Sequence, residues 1–262
     1  MQRRLFFAIA GALTATPALA RQVHTGDVTL AVQSGRIVTG SGLVSQGSYT
    51  EQRVIGVPLG AQGVPAFSSN PGYDCEPGTF PGGSAIGFNI RDRLWRWSGT
   101  TFAPTSGEVM QISSGPASRV SGEGFVAGFT LSVSANGQWH KHLGMLLQQG
   151  SAPSIADGAY LLEMELFHSA GVATSRPYYL LFNQNASQGA LSASETFVRA
   201  RILPPVQEGD TNGDGRVDFV DLNGVLSDFG VSGQWLPGDV NRDGVVNFLD
   251  LNIVLGAFGA GV

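Results

Sequence analysis

Two stretches near the end of the chain repeat one spacing of oxygen-bearing side chains, D-x-N-x-D-G-x-V-[DN]-F-x-D-L-N, the second copy twenty-nine residues after the first. That spacing suits a hard cation. Ca²⁺ takes six to eight oxygens at about 2.3–2.6 Å, and a twelve-residue loop supplies them from positions 1, 3, 5, 7, 9 and 12. In the first copy these positions are Asp210, Asn212, Asp214, the carbonyl of Arg216, Asp218 and Asp221. In the second they are Asp239, Asn241, Asp243, the carbonyl of Val245, Asn247 and Asp250. Gly215 and Gly244 stand at position 6, where a sharp turn favours a residue without Cβ. Val217 and Val246, at position 8, are expected to point inward and let the two loops pair. Two copies in register specify two bound Ca²⁺ ions.

Each loop needs an element to hold it. Leu222, Val225, Leu226 and Phe229 follow the first loop at helical i, i+3, i+4, i+7 spacing, and Leu251, Val254, Leu255 and Phe258 follow the second. Gly230 and Gly259 stop these helices. No helical pattern precedes either loop, and position 12 is Asp where EF-hands use Glu. In these features residues 206–262 resemble the type I dockerin module of polysaccharide-degrading complexes. The resemblance implies a module that docks its host onto a cohesin-type receptor and needs calcium to fold. The chain departs from that family at the recognition positions. Small polar pairs at loop positions 10 and 11 are replaced by Phe219-Val220 and Phe248-Leu249, and positions 17 and 18 are Leu226-Ser227 and Leu255-Gly256, not a basic pair. A cohesin-like or other cell-surface protein is therefore expected as partner, without a cellulosome-type specificity.

Charge places the same boundary. Residues 206–262 carry nine acids and two bases, whereas residues 1–205 carry eleven acids and thirteen bases. Seven of the nine acids lie in the two loops, so bound cations would relieve their mutual repulsion. A segment this short buries little core, and metal binding and folding are expected to be coupled. The body has no basic stripe, which argues against nucleic acid as a partner.

At the other end, residues 1–20 read as a secretory signal peptide. Arg3 and Arg4 supply the positive start, Leu5 to Ala15 the apolar stretch, and Ala18-Leu19-Ala20 the small-residue cleavage site. The pattern Arg3-Arg4-Leu5-Phe6-Phe7 also fits twin-arginine export. A secreted chain with no membrane span after cleavage is expected. Cys75, the single cysteine, excludes an internal disulfide and a cysteine zinc site. Its neighbours Asp74 and Glu76 disfavour a reactive thiolate.

Between these ends, residues 21–205 read as short strands broken by Gly, Pro and Ser. Strands are expected near 27–32, 36–39, 52–58, 84–97, 108–112, 124–133, 138–147, 158–167, 177–182 and 193–202. The expected fold is mainly β: an antiparallel, jelly-roll-like β-sandwich body joined at Pro204-Pro205 to a small C-terminal α-helical calcium-loop pair.

Three constellations in the body could do chemistry. On a strand, His140 and His142 share one face and could bind a metal with a carboxylate, Glu163 and Glu165 being the nearest in pattern. Glu163 and Glu165 are themselves two along a strand, near a glycosidase carboxylate separation but projecting side by side. Trp95 and Trp97 share a face with Arg91 and Arg93 and would stack on sugar rings if exposed. Elbow, phosphate-loop and zinc-protease signatures are absent. The leading expectation is a secreted, non-catalytic β body attached or stabilised by its calcium-binding tail. The alternative is a glycan-binding or polysaccharide-degrading protein, an enzyme of the glycoside hydrolase class.

Overall fold

The computed structural model describes residues 26–203 and 207–261. The expected leader, 1–20, and the Pro204-Pro205 junction lie outside the described residues. Fifteen strands run β1 (Val28–Gln33), β2 (Arg36–Ser41), β3 (Thr50–Glu51), β4 (Val54–Pro58), β5 (Phe67–Ser68), β6 (Tyr73–Asp74), β7 (Ala85–Ile90) and β8 (Trp95–Trp97). They continue as β9 (Phe102–Pro104), β10 (Val109–Ser114), β11 (Ala117–Val120), β12 (Val126–Ser132), β13 (Gly144–Gln148), β14 (Gly158–His168) and β15 (Tyr178–Gln184). Three α-helices follow: α1 (Gln188–Phe197), α2 (Phe219–Asp228) and α3 (Phe248–Gly256).

The body is mainly β, as expected, but its strands form three sheets. Their orders are β3-β2-β1-β6, β11-β10-β13-β5 and β12-β7-β14-β15-β4, with β8 and β9 attached to the last through β14. Most pairs are antiparallel; β1 with β6 and β15 with β4 are parallel.

The third sheet is covered on both faces, and its central strands show why. Tyr160, Leu162, Met164 and Leu166 alternate along β14 into the main core, beside Tyr178, Leu180 and Phe182 of β15. The intervening Ala159, Leu161, Tyr179 and Leu181 face a second cluster with Val198 and Ile202. A strand buried on both sides reads as a nearly continuous apolar run, which is how β14 reads.

Val198 and Ile202 correct one expectation. Residues 193–202 are not a strand but the end of α1 followed by a π-helical turn, Val198–Ile202. Val198, Ala200 and Ile202 alternate, yet Leu191, Val198 and Ile202 also recur at seven and four residues, a helical stripe. Ser187 starts the helix by accepting from the Ala190 N–H at 3.2 Å. Two further expected strands are shortened. The 84–97 stretch breaks after Ile90, where the Asp92 carboxylate takes the Arg93 N–H, so β7 and β8 pair with successive parts of β14. Of 138–147, only Gly144 onward joins a sheet, while Lys141 makes a lone bridge with Tyr73.

In the tail, α2 and α3 pack through Val217, Val225, Val246 and Val254, with Leu222, Leu251 and Leu236 around them. Val217 and Val246 are buried, as expected, but the two loops do not bond to each other there. Val217 bonds the chain after α3, donating to Ala260 O and accepting from Gly259 N–H, and Val246 likewise bonds Val231 and Gly230 after α2. Gly230 and Gly259 take φ of +82° and +83°, the left-handed turn that ends each helix. The tail lies against the body: the Trp235 ring meets Trp95 edge-on at 5.3 Å, and Arg242 donates to Tyr179 Oη at 2.9 Å and to the Ile202 carbonyl. No described helix is long and apolar enough to cross a membrane.

Candidate metal centres

The two loops take the same backbone path. In the first, the Asp210 carboxylate accepts from Gly213 N–H at 2.7 Å and Gly215 N–H at 2.8 Å. Asn212 Oδ1 accepts from Asp214 N–H, and Asp214 Oδ1 from Arg216 N–H. In the second, Asp239 accepts from Asp243 and Gly244 N–H, Asn241 Oδ1 from Asp243 N–H, and Asp243 Oδ1 from Val245 N–H. Gly215 and Gly244 both sit at φ +86°, the left-handed turn expected at position 6.

Position 12 closes each loop. Asp221 and Asp250 are fully buried at the first turns of α2 and α3. Asp221 Oδ1 accepts from Thr211 and Asn212 N–H, and Oδ2 from Asp218 N–H. Asp250 does the same with Asn241 and Asn247 N–H. Asp218 and Asn247, at position 9, cap the two helices. Burial raises the Asp239 carboxyl above its ordinary range, and the nearby Asp250 and Asp243 charges push the same way. The donors of each loop are oxygens throughout, a set that fits Ca²⁺ and not a soft ion.

The histidines meet a different carboxylate from the one expected. Among the described residues, three metal-ligating atoms of His, Cys, Asp or Glu come within 4.8 Å of one another at Asp27, His140 and His142. Glu163 and Glu165 are elsewhere, on the far side of the β14 sheet, sharing one arginine. Arg91 Nε donates to Glu163 at 2.9 Å and its Nη1 to Glu165 at 2.6 Å, while Asn89 also donates to Glu165. Desolvation raises the Glu163 carboxyl although Arg91 and Arg242 oppose it. Glu163 lines a cleft of about 420 Å³ between body and tail, with Asp92, Trp95, Trp235 and Arg242; Glu165 does not line it. The pair therefore does not face across a cleft. Glu108, another acid a hydrolase could use, is buried and accepts from Tyr160 Oη and Ser106 N–H.

The glycan platform is also overturned. Trp95 is 2 % exposed beneath Trp235, and Trp97 is half-buried against Phe102 and Phe197. These rings fill the second core, because the tail and α1 cover the face on which they stand.

Sequence reasoning missed Asp27. It precedes β1 and is separated from the histidines by more than a hundred residues, so no local spacing could have linked them. It is brought there by backbone pairing: Val28 bonds Gly72, and Tyr73 bonds Lys141 between the two histidines.

Cys75 behaves as its neighbours suggested. It is fully buried, and burial pushes its thiol up to about 11, its neighbours Asp74 and Glu76 adding to the rise. A chromogenic disulfide reagent at about pH 8 is expected to leave the native chain unmodified and to titrate one thiol after denaturation. Fast reaction of the native protein would contradict this burial.

No family model matches the chain, and no curated protein matches it. One similar solved structure is described as a family 123 glycoside hydrolase from Clostridium perfringens acting on glycolipid glycans. The similarity has a TM-score of 0.27 at 6 % identity, over 60 % of this chain and 27 % of that one. The chain thus spans about a quarter of that protein's length.

Proposed function

We propose that the chain is an exported, non-catalytic β protein whose tail, 206–262, binds two Ca²⁺ ions in a dockerin-like arrangement and attaches the body to a protein at the cell surface. The observation that carries this reading is the doubled apolar surface at the ends of the two loop–helix units. Phe219 is 70 % exposed and Phe248 68 %. Phe219 meets Phe258 edge-on at 5.0 Å, and Phe229 meets Phe248 in the same way at 5.0 Å. Val220, Leu249, Leu226 and Leu255 are exposed beside them. Of each helix's apolar stripe, Val225 and Val254 are buried and Leu222 and Leu251 pack half-buried beside them, whereas Leu226, Phe229, Leu255 and Phe258 are left exposed. Large aromatic residues exposed in a contiguous patch mark a protein contact surface. The patches stand at loop positions 10 and 11, the recognition positions of the module that the sequence resembles.

When bound, Ca²⁺ would offset the charge of the loop carboxylates of Asp210, Asp214, Asp218 and Asp221 and of Asp239, Asp243 and Asp250 and, through Asp221 and Asp250, fix the two helix starts in one relative orientation. Asn212, Asn241, Asn247 and the Arg216 and Val245 carbonyls complete the oxygen sets without adding charge.

Calorimetric titration of the chelator-stripped full chain with Ca²⁺ is expected to show two equivalents. In the source organism the chain is expected in the cell-envelope fraction, with release into the medium on chelation. The double variant Phe219→Asp, Phe248→Asp is expected to keep both calcium equivalents and to appear in the medium. Absence of calcium uptake sinks the metal half of the reading; retention of the double variant at the envelope sinks the attachment half.

A further inference from the structure

We infer that Asp27, His140 and His142 form a binding site for one zinc-class divalent ion, leaving a coordination position for water or another exchangeable ligand. This site is in the body and does not depend on the calcium reading of the tail. His140 Nε2 and His142 Nε2 are 3.1 Å apart, and they lie 3.4 Å and 3.6 Å from Asp27 Oδ2. A tetrahedral ion at about 2.0–2.2 Å from its ligands sets neighbouring ligand atoms about 3.3–3.5 Å apart. The three edges bracket that spacing, so an ion fits on this triangle with little movement.

The donor set selects the ion. Two imidazoles and one carboxylate suit zinc, copper, nickel or iron, whereas calcium takes oxygen. The chain therefore separates its two kinds of metal by chemistry: oxygen-only loops in the tail and imidazole nitrogens in the body.

The groups around the triangle are those a metal site needs. His142 Nδ1 lies 2.9 Å from the Ser69 carbonyl, which can only accept, so that nitrogen carries the proton and Nε2 presents its lone pair. A ligating histidine is commonly held through its other nitrogen in this way. Asp27 Oδ1 accepts the Gly72 N–H at 2.9 Å, which aims Oδ2 at the histidines. Gly72 also makes room: a Cβ there would stand 2.6–2.8 Å from the His142 ring atoms.

Position is fixed by backbone rather than by flexible side chains. Val28 N–H donates to Gly72 O at 2.9 Å, and Tyr73 and Lys141 exchange N–H···O bonds at 2.8 and 2.9 Å. Each ligand is one residue removed from one of these bonds. Trp139 and Leu143, on the opposite face of the segment, are buried.

The site is closed on one side and open on the other. The Asp27 side chain is 7 % exposed and that of His140 14 %, but that of His142 is 37 %. Asp27 also lines a groove of about 780 Å³, as do Asn70 and Pro71. Three protein ligands with an open position is the arrangement of exchangeable zinc sites, in contrast to closed four-ligand structural ones.

The test uses the full chain, stripped with chelator and returned to excess Ca²⁺ before titration with Zn²⁺. One zinc equivalent is expected that calcium does not displace, and Co²⁺ in its place is expected to give the intense visible absorption of a four-coordinate ion. Asp27→Asn and His142→Ala are each expected to lower zinc affinity by about 10- to 100-fold or more, with calcium stoichiometry unchanged. Should His142→Ala fail to fold by circular dichroism, the near-isosteric Asp27→Asn carries the comparison. No zinc uptake by the calcium-saturated wild type overturns the inference, as does uptake that Asp27→Asn leaves within about twofold of wild type.

Discussion

Asp221→Ala is expected to cost the tail about 3–5 kcal/mol and to leave its first loop–helix unit unfolded in the full chain. Asp221 is fully buried, and its two oxygens take the N–H groups of Thr211, Asn212 and Asp218. Alanine leaves all three donors without the carboxylate, and a buried donor left unpaired costs about 1–3 kcal/mol. The same carboxylate sits in the first turn of α2, where a negative charge favours the helix dipole. Against this the tail as a whole offers a small core of four valines, two from each unit, and a rim of partly buried apolar groups. A domain's whole margin is about 5–15 kcal/mol, and a unit of this size has the lower end of it. Asp250→Ala is expected to do the same to the second unit, since Asp250 binds Asn241 and Asn247 N–H alike. Denaturant unfolding followed by far-ultraviolet circular dichroism, with Ca²⁺ and with chelator, measures both effects. For the wild type, chelation is expected to lower the midpoint; for Asp221→Ala, calcium is expected to lose most of its effect. A variant that is destabilised yet keeps the full calcium response would make Asp221 a helix cap and not a ligand.

The turns of the two tail loops were legible because their oxygen-bearing side chains are contiguous in sequence: the alternation of Asp and Asn with glycine at position 6 is written within twelve residues, twice. The alternation at 139–143 was legible too. Trp139 and Leu143 are buried, and His140 and His142 share the opposite face. The missing third ligand was not, because Asp27 arrives only through the β1–β6 pairing and the Tyr73–Lys141 bridge. Glu163 and Glu165 looked nearer because they also alternate along a strand, but the face they occupy belongs to the other side of the β14 sheet. The tryptophans failed for a related reason. Nothing local to Trp95 and Trp97 says that Trp235, from the tail, and Phe197, from α1, cover them. The error at 193–202 was one of period, where a three-residue alternation masked a longer helical stripe. Apart from that period, what the chain encodes locally was readable; what depends on which sheet face meets which distant segment was not.

Trp139→Ala is expected to lower the stability of the body by about 3–5 kcal/mol and to abolish zinc uptake at the Asp27–His140–His142 triangle. Trp139 is 2 % exposed, and its indole N–H donates to the Leu131 carbonyl at 3.1 Å. Its backbone N–H donates to Cys75 Sγ, and its ring lies 6.0 Å from Tyr73, whose hydroxyl in turn meets that of Tyr178 at 2.9 Å. Replacing so large a buried side chain leaves a cavity the surrounding sheets can close only in part. The Tyr73–Lys141 bridge and the Trp139 N–H to Cys75 fix the course of the segment, and the buried indole adds to them by setting the depth at which His140 emerges. Trp139→Phe separates the two effects. The smaller ring retains most of the fill and loses the indole hydrogen bond, so a loss of about 1–2 kcal/mol is expected, with zinc affinity within about tenfold of wild type. Urea unfolding monitored by near-ultraviolet circular dichroism gives the stabilities, and calorimetry on protein folded at low denaturant gives the affinities. If Trp139→Ala binds zinc as tightly as wild type while losing its full share of stability, the triangle is positioned by the backbone ladder alone. If it loses neither, the segment 138–143 does not pack as the buried face of Trp139 and Leu143 requires.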